Sequence, residues 1–328
     1  MNEINRTIIP IKSGYQPRAL CWHGDELIDW AGIIRYQLDG TSSGPRINYP
    51  YRFDHAVSSA SGEYVVLYEL LGTKGLVLKR GRVVREINRS FYHAHVYEYP
   101  VVLFALPDGR EVIAHCPDHY NVIEIEEVES GKRLTSRSGE AADFFHSRLQ
   151  VSPDSRYLLS AGWFWHPWDT IQLFDIAKAL QLPESLDRCW SGDLSNANLG
   201  EIHSAAFNGP DLIVFAGETE ADETEEEQAL RLGVYSIQAN AVLTSWALDA
   251  PAGTLMPLGD VAISFYEHPK LLDLATGKVL HRWSELSTGQ QNSSIIWHID
   301  GVPTIALDPS KRRFAVADSE NITVVQLG

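Results

Sequence analysis

The chain alternates short apolar runs with tight polar turns, and Phe145–Ile176 shows the pattern well. An apolar-rich run, Leu149–Val151, ends in the strong turn signal Ser152-Pro153-Asp154-Ser155. A second run, Tyr157–Ala161, follows directly, and a third, Thr170–Ile176, alternates apolar and polar positions after a loop. Three short strands joined by turns predict an antiparallel meander. Because a lone meander cannot bury both of its faces, we expect the unit to recur.

The same arrangement, a turn between two apolar runs, recurs along nearly the whole chain. Its tips fall at seven positions: Gly24, Gly62, Gly109, Ser155, Gly209, Gly259 and Ser310. Successive tips are 38 to 54 residues apart, and β-propeller blades repeat every 40–50 residues or so. The spacing therefore predicts an all-β chain, a seven-bladed β-propeller built from four-stranded antiparallel blades.

We place all of residues 1–328 in one propeller domain. The blades are expected in residues 18–51, 52–90, 91–138, 143–192, 200–249, 252–285 and 302–328. The last blade has three strands, and the strand-like segment Arg6–Ile11 is expected to supply the fourth, which closes the ring and covers its edges. The predicted outer strands are Arg46–Tyr51 in the first blade and a strand containing Cys189-Trp190 in the fourth.

One segment points to a known family. Val101–Thr135 contains a strand, Pro-Asp-Gly, a second strand, a polar turn, an alternating strand and a Ser-Gly-Lys turn. This order resembles a WD40-type β-propeller repeat, and Leu149–Ile176 and Thr304–Leu327 are similar to it. Phe174-Asp175 and Leu272-Asp273 stand where that family has a closing Trp-Asp pair, and the usual Gly-His pair is missing. The chain therefore resembles a divergent, bacterial-type WD40-like propeller, and the resemblance implies closure by the N-terminal strand.

Composition narrows the choice of partners. The 43 acidic and 27 basic residues give a formal net charge of -16, which disfavours nucleic acid and anionic membranes because both bind basic surfaces. The same charge would attract a basic protein. We find no apolar run of the roughly 20 residues needed to cross a bilayer, and no secretory signal. Three scattered cysteines without CxxC spacing fit free thiols in the cytoplasm.

The resemblance also implies where a functional surface would lie. In the WD40 family, loops between strands two and three and loops between blades share one rim. The unusual segments expected there are Phe91–Tyr99, Pro117–Tyr120, Trp163–Trp168, Glu218–Glu227 and Ser287–Asp300. From these we select the candidate partner-binding residues Phe91, Tyr92, His93, His95, His119, Tyr120, Trp163, Phe164, Trp165, His166, Trp168, Glu220, Asp222 and Glu223.

Two of these segments have both a binding and a structural interpretation. Trp163–Trp168 (WFWHPW) holds three tryptophans, the residue type most enriched at interface hot spots. The rings would otherwise cap the channel or pack between blades four and five. Glu218–Glu227 carries seven carboxylates in ten residues. It is either a docking arm for a basic partner or a solvated, self-repelling insertion.

Histidines are numerous, but no metal or cofactor site is predicted. His93 and His95 have suitable spacing for zinc, with Cys116 or His119 as candidate further ligands, yet a zinc site needs three or four converging ligands. His55, His146 and His203 each begin an innermost strand and are expected to be hydrogen-bonded structural residues. GxSxG, P-loop and HExxH motifs are absent from the sequence.

The sequence therefore favours a non-enzymatic cytoplasmic module that presents an aromatic and acidic rim to a protein partner, with a toxin-neutralising immunity protein as one specific case. The alternative is an enzyme or sensor that binds a small molecule at the mouth of the central channel. Exposed Trp163, Trp165 and Trp168 would favour the first hypothesis. Inward-facing, hydrogen-bonded histidines and carboxylates would favour the second.

Overall fold

Short strands and tight turns form seven antiparallel sheets in the computed structural model, which describes residues 1–12, 14–192, 194, 199–219, 229–299, 302 and 304–328. Each sheet packs against the next one along the chain, and the last packs against the first. The described residues therefore form a seven-bladed β-propeller, and the predicted fold class is confirmed.

The strands of the blades run outward from the channel in chain order, except that the innermost strand of blade four is divided in two and the outer strand of blade seven comes from the N-terminus. Blades one to three contain β2 (Leu20–His23), β3 (Glu26–Asp29), β4 (Ile34–Tyr36) and β5 (Ser42–Ser43); β6 (His55–Ser58), β7 (Tyr64–Tyr68), β8 (Lys74–Lys79) and β9 (Arg82–Asn88); and β10 (Val101–Ala105), β11 (Glu111–His115) and β12 (Glu124–Glu127). Blade four contains β13 (Phe144–Phe145), β14 (Gln150–Val151), β15 (Tyr157–Phe164) and β16 (Trp168–Asp175), followed by α1 (Ile176–Gln181) and the 3-10 helix Pro183–Asp187.

The remaining blades follow the same order. Blade five contains β17 (Leu199–Asn208), β18 (Leu212–Thr219), β19 (Leu230–Ser236) and β20 (Ala241–Ala247); blade six contains β21 (Leu255–Pro257), β22 (Val261–Ser264), β23 (Lys270–Asp273) and β24 (Val279–Arg282). Blade seven contains β25 (Thr304–Asp308), the 3-10 helix Pro309–Lys311, β26 (Arg313–Ala317), β27 (Asn321–Leu327) and, on its outside, β1 (Glu3–Pro10).

The hydrophobic core is divided into layers between blades. Buried apolar side chains form a separate cluster at each of the seven blade interfaces. Between blades three and four, for example, Phe104 and Ile125 pack with Leu158 and Phe174. Because each sheet buries both faces in this way, the strands read as nearly continuous apolar runs, with less alternation than a one-sided sheet would show.

Strand β1 closes the ring. It pairs antiparallel with β27, so that Ile9 lies opposite Ile322 and Pro10 opposite Asn321. Ile9 is fully buried in the cluster between blades seven and one. The predicted closure by the N-terminal strand is confirmed, and the last blade gains its fourth strand from the opposite end of the chain.

The predicted outer strand of the first blade is wrong. Arg46–Tyr51 forms no strand, and the two residues Ser42–Ser43 pair with β4 instead. Gly44 follows with a φ of 135°, and a Cβ at that position would collide with the carbonyl oxygen of Ile33. Pro45 then lacks an amide donor for the ladder. The chain therefore leaves the sheet directly after Ser43.

Blades three and four also depart from the four-stranded expectation. In blade three, the described residues give three strands and one isolated bridge, Glu126 to Arg133. In blade four, α1 replaces the outer strand because Asp175 caps it by accepting a hydrogen bond from the Lys178 amide at 2.9 Å. Trp190 therefore lies outside any strand and packs edge-on against Tyr235 of blade five.

Two further expectations concern thiols and membranes. Cys21, Cys116 and Cys189 are all free thiols, and the first two are buried. Across the described part of the chain, none of the helices has the length and apolar character that a membrane span requires.

The closing strand offers a matched pair of substitutions. Ile9→Ala should lower the free energy of unfolding by about 2–5 kcal/mol, because it removes a fully buried side chain from a closed core layer. Ile8→Ala, on the neighbouring residue that is 60% exposed, should change it by less than about 0.5 kcal/mol. Urea unfolding of both variants measures the difference. Equal effects would show that β1 does not contribute to the core.

Candidate functional site

Three loops contact one another on one face of the ring. The ring of Tyr92, in the loop between blades two and three, lies 5.0 Å from that of Tyr120 in the β11–β12 loop. His93 in the same interblade loop lies 5.2 Å from Trp165 in the β15–β16 hairpin. This is the arrangement of loops that the WD40 resemblance implied.

Arg89 fixes the loop between blades two and three. Its buried guanidinium donates to five backbone carbonyls, those of Leu70, Gly72, Ala94, Tyr97 and Glu98, at 2.6 to 3.2 Å. It also lies over the rings of Tyr97 and Tyr99, at 4.7 and 4.9 Å from their centroids. A charged donor that satisfies so many carbonyls makes the loop a rigid platform.

Trp163 belongs to the base of this platform, and the expectation that it is exposed is wrong. It is 3% exposed, and its ring stacks on Phe145 at a centroid distance of 3.7 Å. Tyr97 packs edge-on against both rings. Trp163 and Phe145 are paired across β15 and β13, which places both rings on one side of the sheet. Trp163 is therefore a packed residue, but it packs on Phe145 of its own blade and on Tyr97 rather than between blades four and five.

Other aromatic rings remain exposed above this base. We use the term aromatic rim for the rings of Phe91, Tyr92, Trp165, Trp168 and Trp297. Phe91 is 84% exposed and Trp297 65%, whereas the other three are about half exposed. Trp297 was not selected from the sequence, although its loop was. Its amide donates to the Val96 carbonyl at 3.2 Å, which places it beside the loop between blades two and three.

The remaining candidates have varied positions. Phe164 is partly buried and packs edge-on against Phe144. His95, His119 and His166 are exposed. The three candidates from the acidic segment, Glu220, Asp222 and Glu223, lie outside the described residues.

A second interblade loop crosses the channel mouth. Residues 284–299 leave blade six and reach the loop between blades two and three, which lies on the other side of the ring. Tyr97 and Ile295 form a β-bridge, the Ile296 amide donates to Val96 at 2.9 Å, and the Glu98 amide donates to Ser294 at 3.0 Å. The two loops therefore span the mouth of the channel on this face.

A polar network lies beneath the crossing loop. The Glu98 carboxylate accepts hydrogen bonds from Arg148 Nε at 2.6 Å and from the Gln291 side chain. Arg148 also reaches the carbonyl oxygens of Asn292 at 3.3 Å and His203 at 3.5 Å. The Asn292 amide in turn lies 2.9 Å from His203 Nδ1. These contacts join the innermost strands of blades four and five to the crossing loop.

Next to this network, Asp169, Glu201 and His203 form the one group of three or more metal-ligating side chains that the described residues bring together, with ligand atoms within 4.8 Å of one another. Burial raises the pKa of Asp169 to about 7, and the charge of Glu201 acts in the same direction. Burial, helped by Arg148, lowers the pKa of His203 to about 4. Burial and Glu201 also raise the pKa of Glu218.

Sequence reasoning missed this group, although a signal was present. Glu201 and Glu218 pair across β17 and β18, and the ladder is irregular on both sides of Glu201 and Ile202. A Cβ at Gly217 would collide with the carbonyl oxygen of Glu201. A glycine inside a strand often marks such a close approach or a bulge.

The zinc ligands considered from the sequence do not converge in the described residues. His93 and His95 lie in a turn rather than on a strand, with ring centroids 6.4 Å apart, and Cys116 is fully buried. The innermost-strand histidines have hydrogen-bond partners, as expected. His55 pairs with Asp54 at 2.9 Å, and His146 contacts Ser160 Oγ at 3.1 Å.

Comparisons with known proteins identify the fold alone. No family model matches the chain, and no curated protein matches it. A structure titled Kuenenia stuttgartiensis Hydrazine Synthase is similar with a TM-score of 0.58 and 14% identity, over 97% of both chains. A structure titled Crystal Structure of Mitotic Checkpoint Complex is similar with a TM-score of 0.59 and 12% identity, over 99% of this chain and 94% of that one. Structures with such different titles share this architecture, so the fold does not select a function.

Alanine substitutions at Trp163 and Trp165 should change the stability of the protein by different amounts. Trp163→Ala should lower the free energy of unfolding by about 3–5 kcal/mol, because it removes the ring that stacks on buried Phe145. Trp165→Ala should cost clearly less, because Trp165 is 45% exposed. Urea unfolding of both proteins is the measurement, and a larger cost for Trp165→Ala would contradict this assignment of base and rim.

Buried His146 should make stability depend on pH. Burial lowers its pKa to about 3, against about 6.5 in an unfolded chain. The unfolded state therefore binds the extra proton first, and the folded state loses about 1.4 kcal/mol per pH unit from this group as pH falls from about 6.5 towards 3. The free energy of unfolding of His146→Asn, measured with urea, should fall less steeply between pH 7 and pH 5 than that of the unchanged protein. The same substitution at exposed His119 is the control, and equal slopes for both variants would contradict the prediction.

Proposed function

We propose that the protein is a non-enzymatic binding module of the cytoplasm whose aromatic rim docks onto a partner protein with a basic surface. The observation that carries this proposal is the aromatic rim itself. It exposes five aromatic rings on one face, and two of them, Tyr92 and Trp165, lie against Phe145 of the buried Phe145–Trp163 stack. Arg89 holds the loop that carries Phe91 and Tyr92. Rigid aromatic rings contribute much of the binding energy of protein interfaces and lose little conformational entropy on binding.

The charge of the chain supports a basic partner. The formal net charge is -16, and Glu218–Glu227 carries seven carboxylates in the sequence. Carboxylates and aromatic rings both suit lysine and arginine side chains, which are attracted to the carboxylates and can stack on the rings. A toxin-neutralising protein that caps a basic toxin is one special case of this proposal.

The fold is compatible with such a role. One of the similar solved structures is, by its title, a complex. A propeller offers a broad, rigid face because its blades are held at every interface by a core layer.

A photo-crosslinking experiment tests the proposal in cells. A photoreactive phenylalanine derivative replaces Trp165 in one variant and Leu280 in the other. Leu280 is a matched control, because it is also about half exposed but lies on β24, the outer strand of blade six. We expect a discrete crosslinked protein from position 165 and none from position 280. No crosslink at 165, or the same product at both positions, would contradict the proposal.

The partner identified in this way then allows a quantitative prediction. Trp165→Ala should weaken its binding by about 2 kcal/mol or more, roughly 30-fold in Kd, whereas Leu280→Ala should leave Kd unchanged. Affinity for the unchanged protein should fall as salt concentration rises, because opposite charges contribute to docking. Isothermal titration calorimetry measures both effects. A salt-independent Kd would contradict the basic-partner part of the proposal.

A second candidate function is binding of a small ligand at the channel mouth. The observation in its favour is the group of Asp169, Glu201 and His203, joined through Asn292 to the polar network under the crossing loop. The chemistry of that group leads to the inference below.

A further inference from the structure

Asp169, Glu201 and His203 converge from two blades. Asp169 is the second residue of β16 in blade four, and Glu201 and His203 lie on β17 in blade five. The Asp169 amide donates to Glu201 Oε2 at 2.9 Å, which fixes the two segments together. One oxygen of each carboxylate and one ring nitrogen of His203 lie within 4.8 Å of one another. Ligand atoms around an ion bound at about 2.1 Å are about 3–4 Å apart, so a small contraction is enough.

Asp169 has an unpaired carboxylate oxygen. The residue is 7% exposed, and its Oδ1 has no hydrogen-bond partner in the described part of the chain. A buried carboxylate oxygen normally accepts a hydrogen bond, because leaving it without one costs the desolvation free energy of that group. The carboxylate of Asp169 also lies within 4.8 Å of ligand atoms of Glu201 and His203, so an oxygen without a hydrogen-bond partner stands beside two further side chains that can bind a cation.

The local charges also lack compensation. Glu201 and Glu218 occupy paired positions on β17 and β18, where like charges repel. Within the described residues, Arg148 is the cation that acts on Asp169, and it already pairs with Glu98 at 2.6 Å. The cation nearest to Asp169 is therefore already paired with another carboxylate. A bound divalent cation would supply the missing positive charge.

The backbone around Glu201 and His203 is irregular. The β17–β18 register shifts between Leu199 and Glu201 and again between Ile202 and Ser204. Bulges of this kind re-aim side chains and are common beside functional sites. Gly217 allows β17 to come close at Glu201, because any Cβ there would collide with the Glu201 carbonyl.

Residues around the cluster are placed to orient it. His203 Nδ1 lies 2.9 Å from the Asn292 side-chain amide. The nitrogen of the Asn292 amide occupies this position. Turning the amide by 180° places its oxygen there instead, so that His203 Nδ1–H donates to Asn292 and the lone pair of Nε2 is free for an ion. Metal-bound histidines commonly donate their second nitrogen to such a partner.

We propose that Asp169, Glu201 and His203 bind a divalent transition-metal ion at the channel mouth. Two carboxylates and one imidazole suit Zn²⁺ or Mn²⁺ better than Mg²⁺ or Ca²⁺, which prefer oxygen ligands throughout. Three protein ligands leave at least one coordination position for water or a small ligand. This site is distinct from the aromatic rim, and its presence does not depend on a protein partner.

Titration of the metal-free full-length protein with Zn²⁺ tests the proposal. Isothermal titration calorimetry should show one saturable equivalent, and the melting temperature should rise with Zn²⁺ concentration. Asp169→Asn/Glu201→Gln should abolish the saturable equivalent. Asn292→Ala, which removes only the orienting partner, should weaken binding by about 10- to 100-fold. Mg²⁺ should not displace the bound ion.

The control is the paired variant His93→Ala/His95→Ala, which removes two other histidines of the same face and should bind Zn²⁺ as the unchanged protein does. Circular dichroism confirms that each variant is folded, and His203→Gln provides a third ligand substitution if either carboxylate variant unfolds. The proposal would be overturned if the unchanged protein bound no Zn²⁺. It would also be overturned if Zn²⁺ binding survived the ligand substitutions but was lost in His93→Ala/His95→Ala.

Discussion

The structure depends on the packing of each blade against two neighbours. A four-stranded sheet with both faces apolar is unstable alone, and a row of such sheets would leave two faces and two edges exposed. The ring removes this problem only if it closes. Closure requires the N-terminal β1 to pair with the C-terminal β27, which brings Ile9 opposite Ile322. The closed ring then fixes the positions of the loops on its faces, including the loops that carry the aromatic rim.

On one face, two interblade loops turn the rigid ring into a surface with two different environments. Arg89 holds the loop between blades two and three, and the loop after blade six crosses the channel mouth to bind it. Above the crossing, rings such as Phe91 and Trp297 face solvent. Below it, the buried carboxylate of Asp169 lies beside that of Glu201 and the imidazole of His203. The first environment suits a protein partner, and the second suits a cation.

The sequence predicted the fold well because strand and turn patterns are local. It placed seven hairpin tips and the closing strand correctly. It failed where a few residues redirect the chain, as at Gly44 in blade one and at Asp175, which starts a helix in blade four. The site was harder to predict, because Trp163 and Trp165 are two residues apart and yet the first is buried and the second is about half exposed. The Asp169 cluster depends on contacts between residues more than 30 positions apart, which spacing alone does not reveal.

We propose that the aromatic rim is the docking surface. Hydrogen–deuterium exchange of the backbone amides tests this most directly, because it reports on every segment of the protein at once. It is measured with and without the partner that the crosslinking experiment identifies. We expect slower exchange in residues 90–97, 164–168 and 295–299 on binding, and no change at the hairpin tips around Gly24, Gly109 and Gly259 on the other face. Protection confined to those tips, or to the outer strands, would contradict it.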